Sequence, residues 1–157
     1  MSSNNFTIIL PNIRSRHNVG SIFRTADGAG VDKMYLAGYT PQPPHKDIDK
    51  VALGAEKTVP WEHAKQTARL IKKLKTAGYT IVGLEQTRKS VTIYEWKPTF
   101  PLALILGNEV TGIPRDLQKL CDTMIEIPMY GMKNSLNVSI AAGIVLYYIA
   151  QFKENGY

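Results

Sequence analysis

Three stretches of this chain combine amide, hydroxyl and charged side chains with glycine, a mixture suited to polar chemistry on exposed turns. The first is Asn12-Ile13-Arg14-Ser15-Arg16-His17-Asn18-Val19-Gly20, with Arg24 one helical turn further. The second is Gly107-Asn108-Glu109-Val110-Thr111-Gly112-Ile113-Pro114, and the third runs from Pro128-Met129-Tyr130 to Ser135-Leu136-Asn137-Val138-Ser139. Two familiar phosphate signatures fail against them. Gly107 to Gly112 has P-loop spacing, but Ile113-Pro114 stand where Lys-Ser/Thr must reach the β- and γ-phosphates. Gly28-Ala29-Gly30 lacks the third glycine of a dinucleotide fingerprint and follows a helix instead of a strand. Cys121 is the only cysteine, which excludes internal disulfides and multi-thiolate metal sites, and His17, His45 and His63 have no metal-ligand spacing. No metal is expected.

The elements that must carry these loops follow from hydrophobic patterning. Phe6 to Leu10 reads as a first strand ended by Pro11, and Val19, Ile22, Phe23 and Ala26 fall at helical spacing over Asn18 to Ala29, with Asn18 as N-cap. Met34 to Ala37 is a second strand, followed by a proline-rich loop and a short helical stretch near Ile48 to Ala55. Trp61, Ala64, Ala68, Ile71 and Leu74 predict an amphipathic helix from Trp61, closed by Gly78. Three further strands are expected at Tyr79 to Leu84, Leu102 to Leu106 and Met124 to Ile127, with a short helix over Arg115 to Leu120. Leu102 to Leu106 is apolar without alternation, as in a parallel strand covered on both faces. Ser135 to Phe152 is apolar around most of its circumference, so the last helix should be buried against the sheet or a second subunit. Alternating strands and helices define an α/β parallel-sheet domain, and ligands of such sheets bind outside the carboxyl ends of the strands, where all three polar stretches lie.

Composition narrows the class. The 157 residues suit one domain, with 44% hydrophobic and 20% charged residues typical of a folded chain. The longest apolar stretch, Ala141 to Ala150, is too short to span a membrane, and the start has neither the basic head nor the apolar length of a signal peptide, so a cytoplasmic location is expected. The net charge of +6 is unevenly placed: residues 1–78 hold 12 Lys/Arg against 6 Asp/Glu, and residues 79–157 hold 7 against 7. Excess positive charge on one half favours a polyanionic partner.

The three loops together carry a resemblance. Asn18-x-Gly20-x-x-x-Arg24, then Leu106-Gly107-Asn108-Glu109-x-x-Gly112-Ile113, then Ile127-Pro128-Met129 leading to Ser135-Leu136-Asn137-Val138-Ser139-x-Ala141, resemble the three motifs of the SpoU/TrmH family of RNA ribose 2′-O-methyltransferases, within the SPOUT superfamily. The resemblance covers about Phe6 to Phe152. It implies a Rossmann-like parallel-sheet domain with a deep C-terminal trefoil knot, working as a homodimer. It also implies S-adenosylmethionine held by Leu84, Gly107, Ile127, Met129, Ser135 and Leu136; Ile127, Met129 and Leu136 are apolar walls of the kind an adenine needs.

Catalytic roles implied by the same match fall on Arg24, Asn18, Glu109, Ser135 and Asn137. A guanidinium is a very poor base, so Arg24 is expected to hold the reactive phosphate and stabilise developing charge. Asn18 would orient the ribose or Arg24, Glu109 would fix Arg24 or the RNA, and Ser135 and Asn137 would shape the pocket. Arg14, Arg16 and His17, beside Asn18, join Arg24 as expected RNA contacts. Each has a plainer alternative: Asn18 and Ser135 as helix caps, Glu109 as a loop brace, Arg24 as a surface residue. The chain starts almost directly at the first strand, so a single domain over residues 1–157 without an N-terminal RNA-binding extension is expected. The segment Gly78 to Thr87 resembles that of tRNA-modifying relatives, which implies tRNA over rRNA as substrate. A non-catalytic RNA-binding module on the same fold is the competing function, and a small-molecule methyltransferase a third.

Overall fold

The computed structural model describes residues 4–154. Strand β1 (Phe6–Pro11) is buried at all six positions, which only a strand flanked by strands and covered by helices can achieve. It pairs in parallel with β2 (Lys33–Ala37) on one side and β6 (Leu102–Ile105) on the other, with Ile8 level with Met34 and Leu104. With β3 (Trp61–Ala64), β4 (Thr80–Leu84), β5 (Val91–Thr92) and β7 (Thr123–Glu126), these strands make a seven-stranded sheet in the order β3-β2-β1-β6-β4-β7-β5, parallel at every pairing.

Alternation along each strand sorts its side chains into two layers. Phe6, Ile8, Leu10, Leu36 and Leu104 pack with Val19, Ile22 and Phe23 of α1 (Arg16–Ala29), Ile48 of α2 (Lys46–Ala52), Ala55 of α3 (Ala55–Thr58), and Val145, Leu146 and Ile149 of α6 (Val138–Glu154). Ile9, Tyr35, Ile81, Ala103 and Ile105 face the opposite way, onto Leu70, Ile71 and Leu74 of α4 (Thr67–Thr76) and Leu117 of α5 (Arg115–Gln118). Gly20 is required where α1 crosses α2, because a Cβ there would lie 2.6 Å from the Ile48 carbonyl oxygen and 3.0 Å from Val51 Cβ.

Several boundaries differ from the sequence expectation. Helix α1 begins at Arg16 and is capped by Ser15, whose Oγ accepts from the Asn18 N–H at 3.1 Å; Asn18 sits inside the first turn, 6% exposed, and is not the cap. The helix expected from Trp61 begins only at Thr67, and Trp61–Ala64 is strand β3. Residues three apart share a helix face but lie on opposite faces of a strand, and Trp61 and Ala64 pack into opposite layers. The stretch Ile48 to Ala55 is two helices, broken where Leu53 and Gly54 take left-handed backbone. The last helix starts at Val138 instead of Ser135, and Asn137 caps it: Asn137 Oδ1 accepts from the N–H groups of Ser139 at 2.8 Å and Ile140 at 3.3 Å. Ser135 therefore caps nothing. Helix α6 is buried on one side only, leaving Ile140, Ile144 and Tyr147 as an exposed apolar stripe.

Candidate active site

The carboxyl ends of β1, β6 and β7 release the three polar stretches at one edge of the sheet, and a carboxylate ties them together. Glu109, in the loop after β6, accepts hydrogen bonds from the backbone N–H groups of Arg14 (2.9 Å to Oε1) and Ser15 (3.0 Å to Oε2), and from Asn18 Nδ2 (3.0 Å). The backbone entering α1 and the Asn18 side chain of its first turn thus offer donors, at the positive end of the helix dipole, to an anion supplied by a distant loop. Burial alone pushes the Glu109 carboxyl up, but the Arg14 and Ser15 N–H groups and the Asn18 amide outweigh it and hold the carboxyl below the usual value of 4.5.

Because an ionised carboxylate only accepts, Asn18 must turn its Nδ2 to Glu109, which leaves its Oδ1 to accept from Asn137 Nδ2 at 3.3 Å. Asn137 Oδ1 in turn is committed to the first turn of α6. One relay, Glu109 to Asn18 to Asn137, therefore fixes the orientation of three side chains drawn from all three loops.

The loop after β6 is braced separately. Asn108 Oδ1 accepts from the N–H groups of Val110 (2.8 Å) and Thr111 (3.0 Å), while its Nδ2 donates to the Asn12 carbonyl at 2.6 Å. Glu85, at the end of β4, accepts from the Ile113 N–H at 3.0 Å. Gly112 has φ +68°, and a Cβ at that position would run into the Glu85 carboxylate, so only glycine fits.

Between these loops opens a pocket of about 300 Å³. Its lining includes Leu84, Gly107, Ile127, Met129, Ser135 and Leu136, all six residues expected around the cofactor, together with Glu85, Glu109 and Glu126. The walls suit a flat heterocycle between aliphatic side chains, and three carboxylates suit a ligand carrying positive charge. Ser135 and Leu136 close the pocket from the segment before α6.

The expected residues do not all converge. Asn18, Glu109 and Asn137 are bonded in series and Ser135 lines the pocket, but Arg24 stands on the exposed side of α1 and does not line it. Glu109 does not fix Arg24; its oxygens are taken by Arg14, Ser15 and Asn18. Arg24 stands one turn before Gly28, where α1 meets α6 at the Tyr147 hydroxyl. Arg14, Arg16 and His17 are exposed at the start of α1. Burial, with the Asp122 charge, pushes the Cys121 thiol up to about 11, which leaves it unreactive at neutral pH. The bracing residues Asn12, Asn108 and Glu85 have no role in the sequence reading; Glu85, a carboxylate directly after an apolar strand, is the one a strand-end search finds.

A sequence profile of the SpoU rRNA Methylase family matches residues 5–147. The chain is 39% identical over 142 residues to the 23S rRNA (guanosine-2′-O-)-methyltransferase RlmB of Vibrio vulnificus, covering 89% of this chain and 56% of that one. It is 34% identical over 148 residues to the tRNA (guanosine(18)-2′-O)-methyltransferase of Aquifex aeolicus, covering 94% and 69%. Among solved structures, the AdoMet-bound rRNA methyltransferase of Sinorhizobium meliloti superposes with a TM-score of 0.89 at 29% identity, over 96% of this chain and 57% of that one. The chain spans little more than half the length of the first curated relatives it matches. With its three motifs joined around one pocket and the profile covering nearly all of its length, the chain belongs to the SpoU methylase family.

Proposed function

We propose that the chain is an S-adenosylmethionine-dependent RNA ribose 2′-O-methyltransferase. The observation that carries this reading is the convergence of Leu84, Gly107, Ile127, Met129, Ser135 and Leu136 on one pocket whose rim is set by the Glu109–Asn18–Asn137 relay. S-adenosylmethionine bound there supplies a methyl group on a sulfonium, and the in-line displacement requires the enzyme mainly to position two centres. Leu84, Ile127, Met129 and Leu136 would hold the adenine, the acidic wall of Glu85 and Glu126 would favour the cationic end, and Ser135 would face the reacting groups. Asn18 and Asn137, each locked in one amide orientation, keep the ribose-facing edge rigid. Arg24 holds the phosphate next to the reacting ribose and stabilises charge as the hydroxyl loses its proton.

Further parts of the reading follow from the family. The strand order inserts β6 between β1 and β4 and β7 between β4 and β5, which supports a C-terminal segment threaded as a trefoil knot. The stripe Ile140, Ile144 and Tyr147 supports a homodimer through α6, which would put Arg24 at the junction of two subunits. We favour tRNA over rRNA as substrate and a cytoplasmic location. Transfer of radiolabel from S-adenosylmethionine to unmodified tRNA and, separately, rRNA, followed by nuclease digestion, tests the whole. Label on a ribose 2′-oxygen is the expected result, and cofactor binding without transfer to either RNA would make the chain a non-catalytic RNA-binding module.

A further inference from the structure

We infer that the basic groove from Lys65, at the carboxyl end of β3, along Arg69 and Lys73 of α4, together with the ring of Tyr39 at the neighbouring end of β2, is a docking track that guides an RNA strand to the pocket, with phosphates on the three cations and one base stacked on the tyrosine. This rests on the RNA-methyltransferase reading and assigns that substrate a surface outside the pocket.

Strands β2 and β3 end level, with Ala37 opposite Ala64. The chain continuing from β2 is pinned to β3 by Gly38 N–H donating to the Ala64 carbonyl at 2.9 Å and by His63 Nε2 lying 2.9 Å from the Gly38 carbonyl. Lys65 and Tyr39 thus issue from adjacent strand ends onto one rim. Lys65, Arg69 and Lys73 line a single groove of about 340 Å³, and Glu62, the acid in that groove, is neutralised by Lys33 at 2.7 Å. Other lysines, Lys75 and Lys153, are engaged with Asp122 and Asp32, whereas these three cations make no hydrogen bond or ion pair among the described residues. Their charge is uncompensated, which is what a phosphate backbone would complement.

Tyr39 supplies the other half. The residue is 62% exposed, yet it is held at both ends: its N–H donates to Asn12 Oδ1 at 2.9 Å and its hydroxyl accepts from Asn108 Nδ2 at 3.2 Å. An aromatic ring with its polar tip tethered and its apolar face open is a stacking platform already ordered before binding. Asn108 lines the pocket, so the ring marks the path from the basic groove to the reacting centre.

The test uses the full chain and a mixture of unmodified tRNA transcripts, with dissociation constants measured across a KCl series and thermal melts to verify folding. The variant K65A/R69A/K73A is expected to bind at least tenfold more weakly at 150 mM KCl, with the log–log salt slope reduced by about 2. Tyr39→Leu should weaken binding by about 5- to 100-fold with the slope unchanged, and Tyr39→Phe should retain most of the affinity. The matched variant K57A/K97A/K119A removes the same charge ahead of β3, β6 and β7, at the opposite end of the sheet, and should keep the wild-type slope. Wild-type binding by both track variants overturns the proposal, as does an equal loss in the matched control. Failure of the methyltransferase reading shows separately, as absence of methyl transfer by the wild type, because the track is judged on binding alone.

Discussion

Replacing Glu109 by glutamine tests the relay at its anchor. The native carboxylate offers two oxygens to three donors, the Arg14 and Ser15 N–H groups and Asn18 Nδ2. The amide keeps one oxygen. If that oxygen takes the Ser15 and Asn18 side, the Arg14 N–H keeps only its longer 3.2 Å bond and meets the new NH₂ group in place of its 2.9 Å acceptor; the reverse orientation loses two bonds. A hydrogen bond to a charged acceptor is worth about 1.5–3 kcal/mol, and solvent access at this rim position discounts it, so Glu109→Gln should cost about 1–2 kcal/mol. With a urea slope of about 2 kcal/mol per molar, the unfolding midpoint at pH 7 should fall by about 0.5–1 M. The sign of the pH dependence follows from the depressed native carboxyl: the wild type's advantage is complete above the ordinary value of 4.5 and is lost as pH falls through the lower native value. The gap between the two proteins should therefore narrow as pH falls below the ordinary carboxylate range and close once the native carboxyl is protonated. Equal midpoints at pH 7, or a gap that persists in acid, would refute the reasoning.

Arg24→Ala should lower methyl transfer by about 100-fold or more while leaving S-adenosylmethionine affinity within about twofold, measured by turnover and calorimetry; unaltered turnover would remove Arg24 from the centre. Gly20→Ala should destabilise the fold by about 1–3 kcal/mol despite alanine's higher helix propensity, because its Cβ meets the α2 backbone; a raised melting temperature would contradict that packing. Ile144→Glu, on the exposed stripe, should leave the fold intact and shift sedimentation to a monomer with loss of transfer. A dimer of unchanged affinity would place the subunit contact elsewhere.

How much was legible depended on burial. The inner strands β1, β2, β4, β6 and β7 bury apolar residues on both faces and stand out as short, mostly apolar runs. The outer two do not: β3 carries Glu62 and His63 to solvent, and β5 is only Val91 and Thr92. An edge strand is defined by the hydrogen bonds of its neighbour, which leave little mark on its own residues. At the site, the six residues that the family resemblance implied around the cofactor all line the pocket, at the ends of β4, β6 and β7 and in the segment before α6. The resemblance did not show that Glu109 bonds Asn18 across 91 residues, or that Asn108 reaches Asn12, because such contacts depend on how loops from separate strands meet.

The sheet order also sets the order of assembly. Strand β5 pairs only with β7, and β7 enters between two strands made earlier in the chain. Asn137, the third member of the relay, and Ile127, Met129, Ser135 and Leu136 of the pocket wall all come after β7 in sequence. During synthesis from the amino end, the pocket is therefore the last feature to close. A nascent or truncated chain can bury much of its core yet present no cofactor site, so ligand binding doubles as a readout of completed folding.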